Sequence, residues 1–258
     1  MDIATIIGLV LGFGAVIGGQ LLEGGHLSAI LQPTAAFIIL CGTIGATFVS
    51  FPLKSIIQAG KDVKKVFFPP QTNHENIIKD MIGYAAKARK NGLISLEQES
   101  QNIKDVFIKK GISLVVDGID PQKLRETMET ELTAFEEHSK ISAEVFESAG
   151  GYAPTIGIIG AVLGLIHVMN NLADSSKLGA GIAVAFVATI YGLMMANLVC
   201  IPMGTKLKHR LKEEVQIKQM IIEGLIAIQN GENPHFIEQR LRSYLQHSDD
   251  KKAKKETK

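Results

Sequence analysis

The chain has 258 residues, 46% of them hydrophobic, with 27 basic side chains against 26 acidic ones. A net charge of +1 gives no hint of nucleic-acid binding. The two cysteines, Cys41 and Cys200, lack CxxC spacing and clustered histidines, so neither a disulfide framework nor a metal site is indicated.

Four stretches contain no Asp, Glu, Lys or Arg: Ile3–Leu22, Thr34–Leu53, Tyr152–Leu172 and Leu178–Gly204. Each is about twenty residues or more, enough at ~1.5 Å per residue to cross a ~30 Å hydrocarbon core. The first opens Met1-Asp2-Ile3 without a basic region and is followed by no A-x-A cleavage pattern, so it reads as a retained span rather than a secretory signal. Of the 27 Lys and Arg residues, 14 lie between Lys54 and Lys140 and 12 between Lys206 and Lys258. Lys54, Lys61, Lys64 and Lys65 follow the second span and Lys206, Lys208, Arg210 and Lys212 the fourth, which predicts cytoplasmic N- and C-termini in the cell inner membrane. Only Glu23 to Pro33 and Ala173 to Lys177 then reach the far side.

The segment between the second and third spans reads as helical. His74–Lys90 places Ile77, Ile78, Met81, Ile82 and Ala85 on one face, and Gly92 ends that helix. A second helix is predicted over Leu96–Lys110, broken at Gly111. Gly118-Ile119-Asp120-Pro121 forms a stop followed by a start, and the helix from Pro121 carries Leu124, Met128, Leu132 and Phe135 towards the third span. After the fourth span, Lys206–Gln229 is a helix, Asn230–Pro234 a turn and Pro234–Leu245 a last helix. The charged tail Asp249–Lys258 has nothing to bury and is expected to be disordered. The fold class is all-α: a polytopic membrane protein with four transmembrane helices (1–53 and 149–204), a helical cytoplasmic domain (54–148) inserted between the second and third, and C-terminal cytoplasmic helices (205–258).

Small residues mark the last two spans. Gly157, Gly160, Ala161 and Gly164 lie in the third, and Ala188, Gly192 and Ala196 follow at i+4 spacing in the fourth. Such positions let helix backbones approach closely in lipid. They describe either two helices that touch inside one subunit or a surface that serves further neighbours, as in a ring of subunits around another helix. With no carboxylate in any span, an ion carrier of the usual kind has to come from elsewhere.

Gly151-Tyr152-Ala153-Pro154-Thr155-Ile156-Gly157-Ile158-Ile159-Gly160-Ala161-Val162-Leu163-Gly164-Leu165-Ile166-His167 resembles the third span of the flagellar motor stator subunits, the MotA/PomA family, more distantly related to ExbB and TolQ. Ile182–Gly192, Ala88-Arg89-Lys90-Asn91-Gly92 through Leu96-Glu97, and Glu223–Pro234 match in the same order. The resemblance implies five copies around two copies of a single-span MotB-type partner whose Asp binds the translocated ion, with the lipid bilayer as solvent and the rotor protein FliG as the cytoplasmic partner. It implies no enzymatic activity and no cofactor.

By the same resemblance, Pro154 and Pro202 couple ion passage to conformational change, although both also sit where a helix-end proline costs little. Thr189 would face the partner's Asp, although its hydroxyl can satisfy itself on the i−4 carbonyl. Sodium-driven members carry Thr where this chain has Ala161, whose methyl coordinates no cation, so Ala161 with Thr189 points to H⁺ rather than Na⁺. His167, the only histidine in a span, is either a relay or a hydrogen-bonding group near the interface. Arg89, Lys90, Glu97 and Glu99 form a charged group at the Gly92 turn, either a solvated surface or the contact with FliG. The predicted function is a proton-driven stator subunit. Its alternatives are a sodium-driven stator or an ExbB/TolQ-like energiser; the latter typically has three spans and lacks the Arg89/Glu97 group.

Overall fold

The computed structural model describes residues 2–69, 74–172 and 175–244, and among these every regular element is helical. The chain divides into two compact units, residues 1–70 with 139–209 and residues 71–138 with 210–258.

In the first unit, α1 (Ile3–Leu22) starts where the Asp2 carboxylate accepts from the Thr5 amide at 3.2 Å. None of its residues is buried, so its stability as a helix depends on lipid or further protein around it. A short α2 (Leu27–Ile30) leads to α3 (Pro33–Ser50), whose buried face is the i+4 stripe Ala35, Ile39, Thr43 and Thr47. The second span stops short of the expected Leu53. Phe51, before a proline, is extended at φ −129° and ψ 145°. Beyond Pro52 the chain restarts as α4 (Leu53–Phe67), an amphipathic helix with Ala59, Asp62 and Val66 buried.

Residues 54–70, read from the sequence as the start of the cytoplasmic domain, therefore belong to the unit that holds the spans. Val66 packs with Ala143 and Leu207, and the Asp62 carboxylate is bonded to Ser142. These attachments are long-range in sequence and carry no local signature.

The third span is the end of one helix, α8 (Pro121–Met169), 49 residues long and uninterrupted by Pro154. Pro154 is thus interior, not at a helix end. Its missing N–H leaves the Gly150 carbonyl without the usual partner; glycine at 150 is required instead by Ile201, whose side chain would lie 2.6 Å from a Cβ there. The fourth span is α9 (Ser175–Met194), which widens into one π turn over Met195–Cys200 and continues as α10 (Ile201–Gln229). Ile201 donates to the Ala196 carbonyl, five residues back. Pro202 follows at once: it has no N–H for the Leu198 carbonyl, and the wide turn absorbs the mismatch. Pro202 also lies inside a continuous helical run rather than at an end.

The second unit has a core of i, i+3, i+4 faces. Ile78, Met81 and Ala85 of α5 (His74–Asn91) meet Leu124, Met128 and Leu132 of α8 and Ile221, Leu225 and Ile228 of α10, all 5% exposed or less. Each of these Ile, Leu and Met side chains contributes about 1.5–3 kcal/mol on burial. Ile77, Ile82 and Phe135 are only partly buried.

The expected helix Leu96–Lys110 is not one helix. A 3₁₀ turn (Leu93–Leu96) runs into a single helical turn, α6 (Glu97–Ser100), and α7 (Val106–Val116) starts afresh where Asp105 caps the amides of Phe107 and Ile108 at 2.8 and 3.1 Å. Gly111 does not break α7; it lies inside it because the Leu225 side chain occupies the place of a Cβ. The stop and start at 118–121 is as expected, with Gly118 at φ +69° and Asp120 accepting from the Gln122 amide at 2.9 Å. A last helix, α11, covers 234–244 after the turn at Gly231 (φ +67°). Leu245 and the charged tail lie outside the described residues.

Candidate functional site

Within the membrane unit α8 and α9 meet backbone to backbone. A Cβ on Gly164 would lie 2.8 Å from the Ala185 nitrogen and from the Gly181 oxygen, and one on Gly192 would lie 2.6 Å from the Ala153 oxygen. Between these contacts, a Cβ on Gly157 would approach the Ala188 oxygen at 3.1 Å, and one on Gly160 the Ala188 methyl at 2.8 Å. Only glycine admits that approach at 164 and 192 without backbone movement. The small residues are thus taken up by contact between two helices of one chain. Large apolar side chains face outward instead, among them Ile158, Val162 and Leu165 of α8 and Phe186, Ile190 and Leu193 of α9. A third helix, α3, closes on the pair: Ile156 fills the space beside Gly42, and Ala35 packs with Val187 and Ala188.

Ala161 is half-buried, next to Gly160 in the α8–α9 contact. Thr189 is half-buried beside Ala188, and its hydroxyl donates to the Ala185 carbonyl at 3.2 Å, the self-satisfying arrangement open to any helical threonine. Its Cα lies 3.5 Å from the position of a Cβ on Gly157, so Thr189 and the glycine face of α8 share one contact. Pro154 is half-buried one residue beyond Ala153, the residue that abuts Gly192. Pro202 is exposed beyond the π turn. His167 is exposed, and its ring makes no hydrogen bond among the described residues; only its carbonyl is used, by the Asn171 amide group at 2.8 Å.

Sequence reading missed the polar clamps that hold this arrangement. The Tyr191 hydroxyl donates to the Ile30 carbonyl at 2.5 Å, fastening one end of α9 to α2, and Tyr152 and Ser50 join hydroxyls at 2.8 Å. Asp2 pairs with Lys206 at 2.8 Å while its own amide donates to the Phe67 carbonyl at 2.8 Å, and Lys206 also donates to the Thr5 hydroxyl. The ammonium of Lys206 holds the Asp2 carboxyl at about 2. Tyr152, at the start of an apolar span, was the available signal for its bond to Ser50; nothing local announces the others.

In the second unit Gly92, at φ +80°, reverses the chain after α5 and brings the four charged residues to one turn. Arg89, Lys90 and Glu97 are exposed and form no ion pair among the described residues. Glu99 differs. Lys87 donates to it at 2.6 Å, so that carboxylate braces the turn from within.

The N-terminal model of motility protein A matches residues 6–92, and the model of the MotA/TolQ/ExbB proton channel family matches residues 99–220. Motility protein A of Bacillus subtilis is 37% identical over 246 residues, 95% of this chain and 91% of that protein. The chain belongs to the MotA/TolQ/ExbB proton channel family, among its motility protein A members. Motility protein A of Helicobacter pylori is 35% identical over 98% of each chain, and PomA of Vibrio alginolyticus 33% identical over 95% of this chain and 96% of its own. The solved MotAB structure from C. jejuni superposes with a TM-score of 0.89 at 32% identity, covering 95% of this chain and 96% of that one. The Bacillus subtilis MotAB stator complex superposes with a TM-score of 0.87 at 36% identity, covering 96% and 97%. The all-helical, four-span architecture expected from the sequence is that of these complexes.

Proposed function

We propose that this chain is the force-generating subunit of a flagellar stator, coupling proton flow across the inner membrane to torque on the rotor. The observation that carries this reading is the pairing of a carboxylate-free set of spans with the tight α8–α9 contact, in a chain whose solved relatives are stator complexes. A MotB-type single-span partner supplies the ion-binding Asp. Its neutralisation on protonation changes the preferred packing of α8 and α9, because a charge in low dielectric costs several kcal/mol more than the neutral acid. Ala161, Thr189 and Pro154 line or adjust that path, and Pro202, beside the π turn, is the point where α10 can re-aim. Five copies around two partner copies, cytoplasmic termini, and contact of Arg89 and Glu97 with FliG complete the reading.

The test is reconstitution. The chain alone in proteoliposomes is expected to show no proton conductance above empty vesicles, and co-reconstitution with its partner is expected to restore it. Conductance by the chain alone overturns the proposal.

A further inference from the structure

The proposed motor cycle makes no use of the outer face of α4. This helix begins three residues after the end of α3, separated only by Phe51-Pro52, so it starts at the boundary of a membrane span. Its inner face is clamped. Asp62 accepts from Ser142 of α8 at 2.7 Å and from Gln58 at 3.1 Å, and Val66 packs with Ala143 of α8 and Leu207 of α10. The Phe67 carbonyl takes the Asp2 amide. Rotation of α4 about its axis is therefore fixed by attachments along its length.

What the fixed helix turns outward is mixed in a particular way. Leu53, Ile57 and Phe68, just past the helix end, are 59%, 50% and 53% exposed, and they share that face with the exposed lysines Lys54, Lys61 and Lys64. At 100° per residue these six positions fall within about a third of the helix circumference. The three lysines form no ion pair among the described residues, while Lys65 is already engaged with Asp62 at 2.9 Å. Apolar side chains held in water are unfavourable, and the unpaired ammonium groups among them leave a positive strip free to meet anions. A surface that is apolar just below and negatively charged just above satisfies both, with the lysine stems lying along the boundary.

We propose that the outer face of α4 lies in the headgroup layer of the bilayer and selects anionic phospholipid there. Leu53, Ile57 and Phe68 enter the acyl boundary, and Lys54, Lys61 and Lys64 meet the phosphates. Because the opposite face is tied to α8 through Asp62 and Ser142, the lipid bound here bears on the helix that carries the Gly157–Gly164 contact.

The chain contains no tryptophan, so Ile57→Trp in the full-length protein is a single fluorescent reporter on this face. The protein is placed in phosphatidylcholine vesicles containing phosphatidylglycerol, with brominated acyl chains on one lipid or the other. Brominated phosphatidylglycerol is expected to quench several-fold more effectively than the same mole fraction of brominated phosphatidylcholine. The combined Lys54→Gln, Lys61→Gln and Lys64→Gln variant is expected to keep the quenching and lose the preference, each basic side chain near an anionic surface being worth roughly five-fold in local lipid. Equal quenching by the two lipids, or a preference unchanged in the triple variant, overturns the assignment. Absence of quenching by either lipid also overturns it and means that protein, such as a second copy of the chain, covers the face. Leu53→Trp serves as the reporter should the first substitution disturb folding.

Discussion

The Ser142 hydroxyl donates to Oδ2 of Asp62 at 2.7 Å, and both residues are buried, at 2% and 6% exposure. Burial by itself would raise the Asp62 pKa, but the bonds from Ser142, Lys65 and Gln58 outweigh it and leave the carboxyl below its ordinary value. Asp2, held at about 2 by Lys206, is the second such group in the same unit. A depressed folded pKa contributes stability that is fully present above the unfolded value, near ~4, and is lost as pH falls through the folded one. Thermal melting of the detergent-solubilised protein should therefore be flat from neutrality to about pH 5 and fall steeply below about pH 4. Asp62→Asn should lower stability at pH 7 by about 1–3 kcal/mol and flatten part of the acid limb. An acid limb unchanged in that variant would exclude Asp62 from it.

Gly164 and Gly192, where an added Cβ would come within 3 Å of a backbone atom of the other helix, make a sharper structural prediction. Gly192→Ala places a methyl 2.6 Å from the Ala153 oxygen and should cost about 1–3 kcal/mol through forced separation of α8 and α9. Gly179→Ala, on the same helix with open space around it, should be neutral or slightly stabilising. Melting temperatures of the two variants in one detergent, with assembly read by size-exclusion chromatography, separate a packing requirement from a general intolerance of α9 to substitution.

At the charged turn, Arg89→Glu and Glu97→Lys should impair swimming while leaving expression and assembly intact, because both side chains are exposed and unpaired among the described residues. Glu99→Gln should act differently. It removes the Lys87 ion pair, a partly exposed contact worth about 0–1 kcal/mol, and so should have a small effect on stability and a mild one on motility. Normal swimming in both reversals, singly and together, would assign the turn to solvent.

The coupling ion is predicted from two side chains. Ala161 offers no oxygen to a cation, and the Thr189 hydroxyl is already donated to the Ala185 carbonyl. Cells driven by this stator should swim at a speed independent of external sodium and stop when a protonophore collapses the proton gradient. Speed that tracks sodium, with motility surviving the protonophore, would reassign the ion. Ala161→Thr is expected to leave a proton-driven motor proton-driven, since on the proposed reading the ion-binding Asp stays on the partner helix.

The spans, their basic flanks and the small-residue spacing were legible in the sequence because each depends on a local property: about twenty uncharged residues, a cluster of lysines, a repeat every four positions. The caps at Asp2, Asp105 and Asp120 and the reversals at Gly92, Gly118 and Gly231 are local too, although the sequence reading takes only Asp120 as a cap and runs a helix through Asp105. Tertiary contact decided what spacing leaves open. Gly111 sits inside a helix with its side-chain space taken by a leucine more than a hundred residues away, and Pro154 and Pro202 sit inside helical runs that continue through them, with a wide turn beside Pro202 absorbing its missing bond. Gly157, Gly160, Gly164 and Gly192 pack within one helix pair, and α4 is joined through Asp62 and Val66 to the unit that holds the spans. Periodicity along a chain names the face a helix will bury; which partner buries it depends on shape and charge matched between residues remote in sequence.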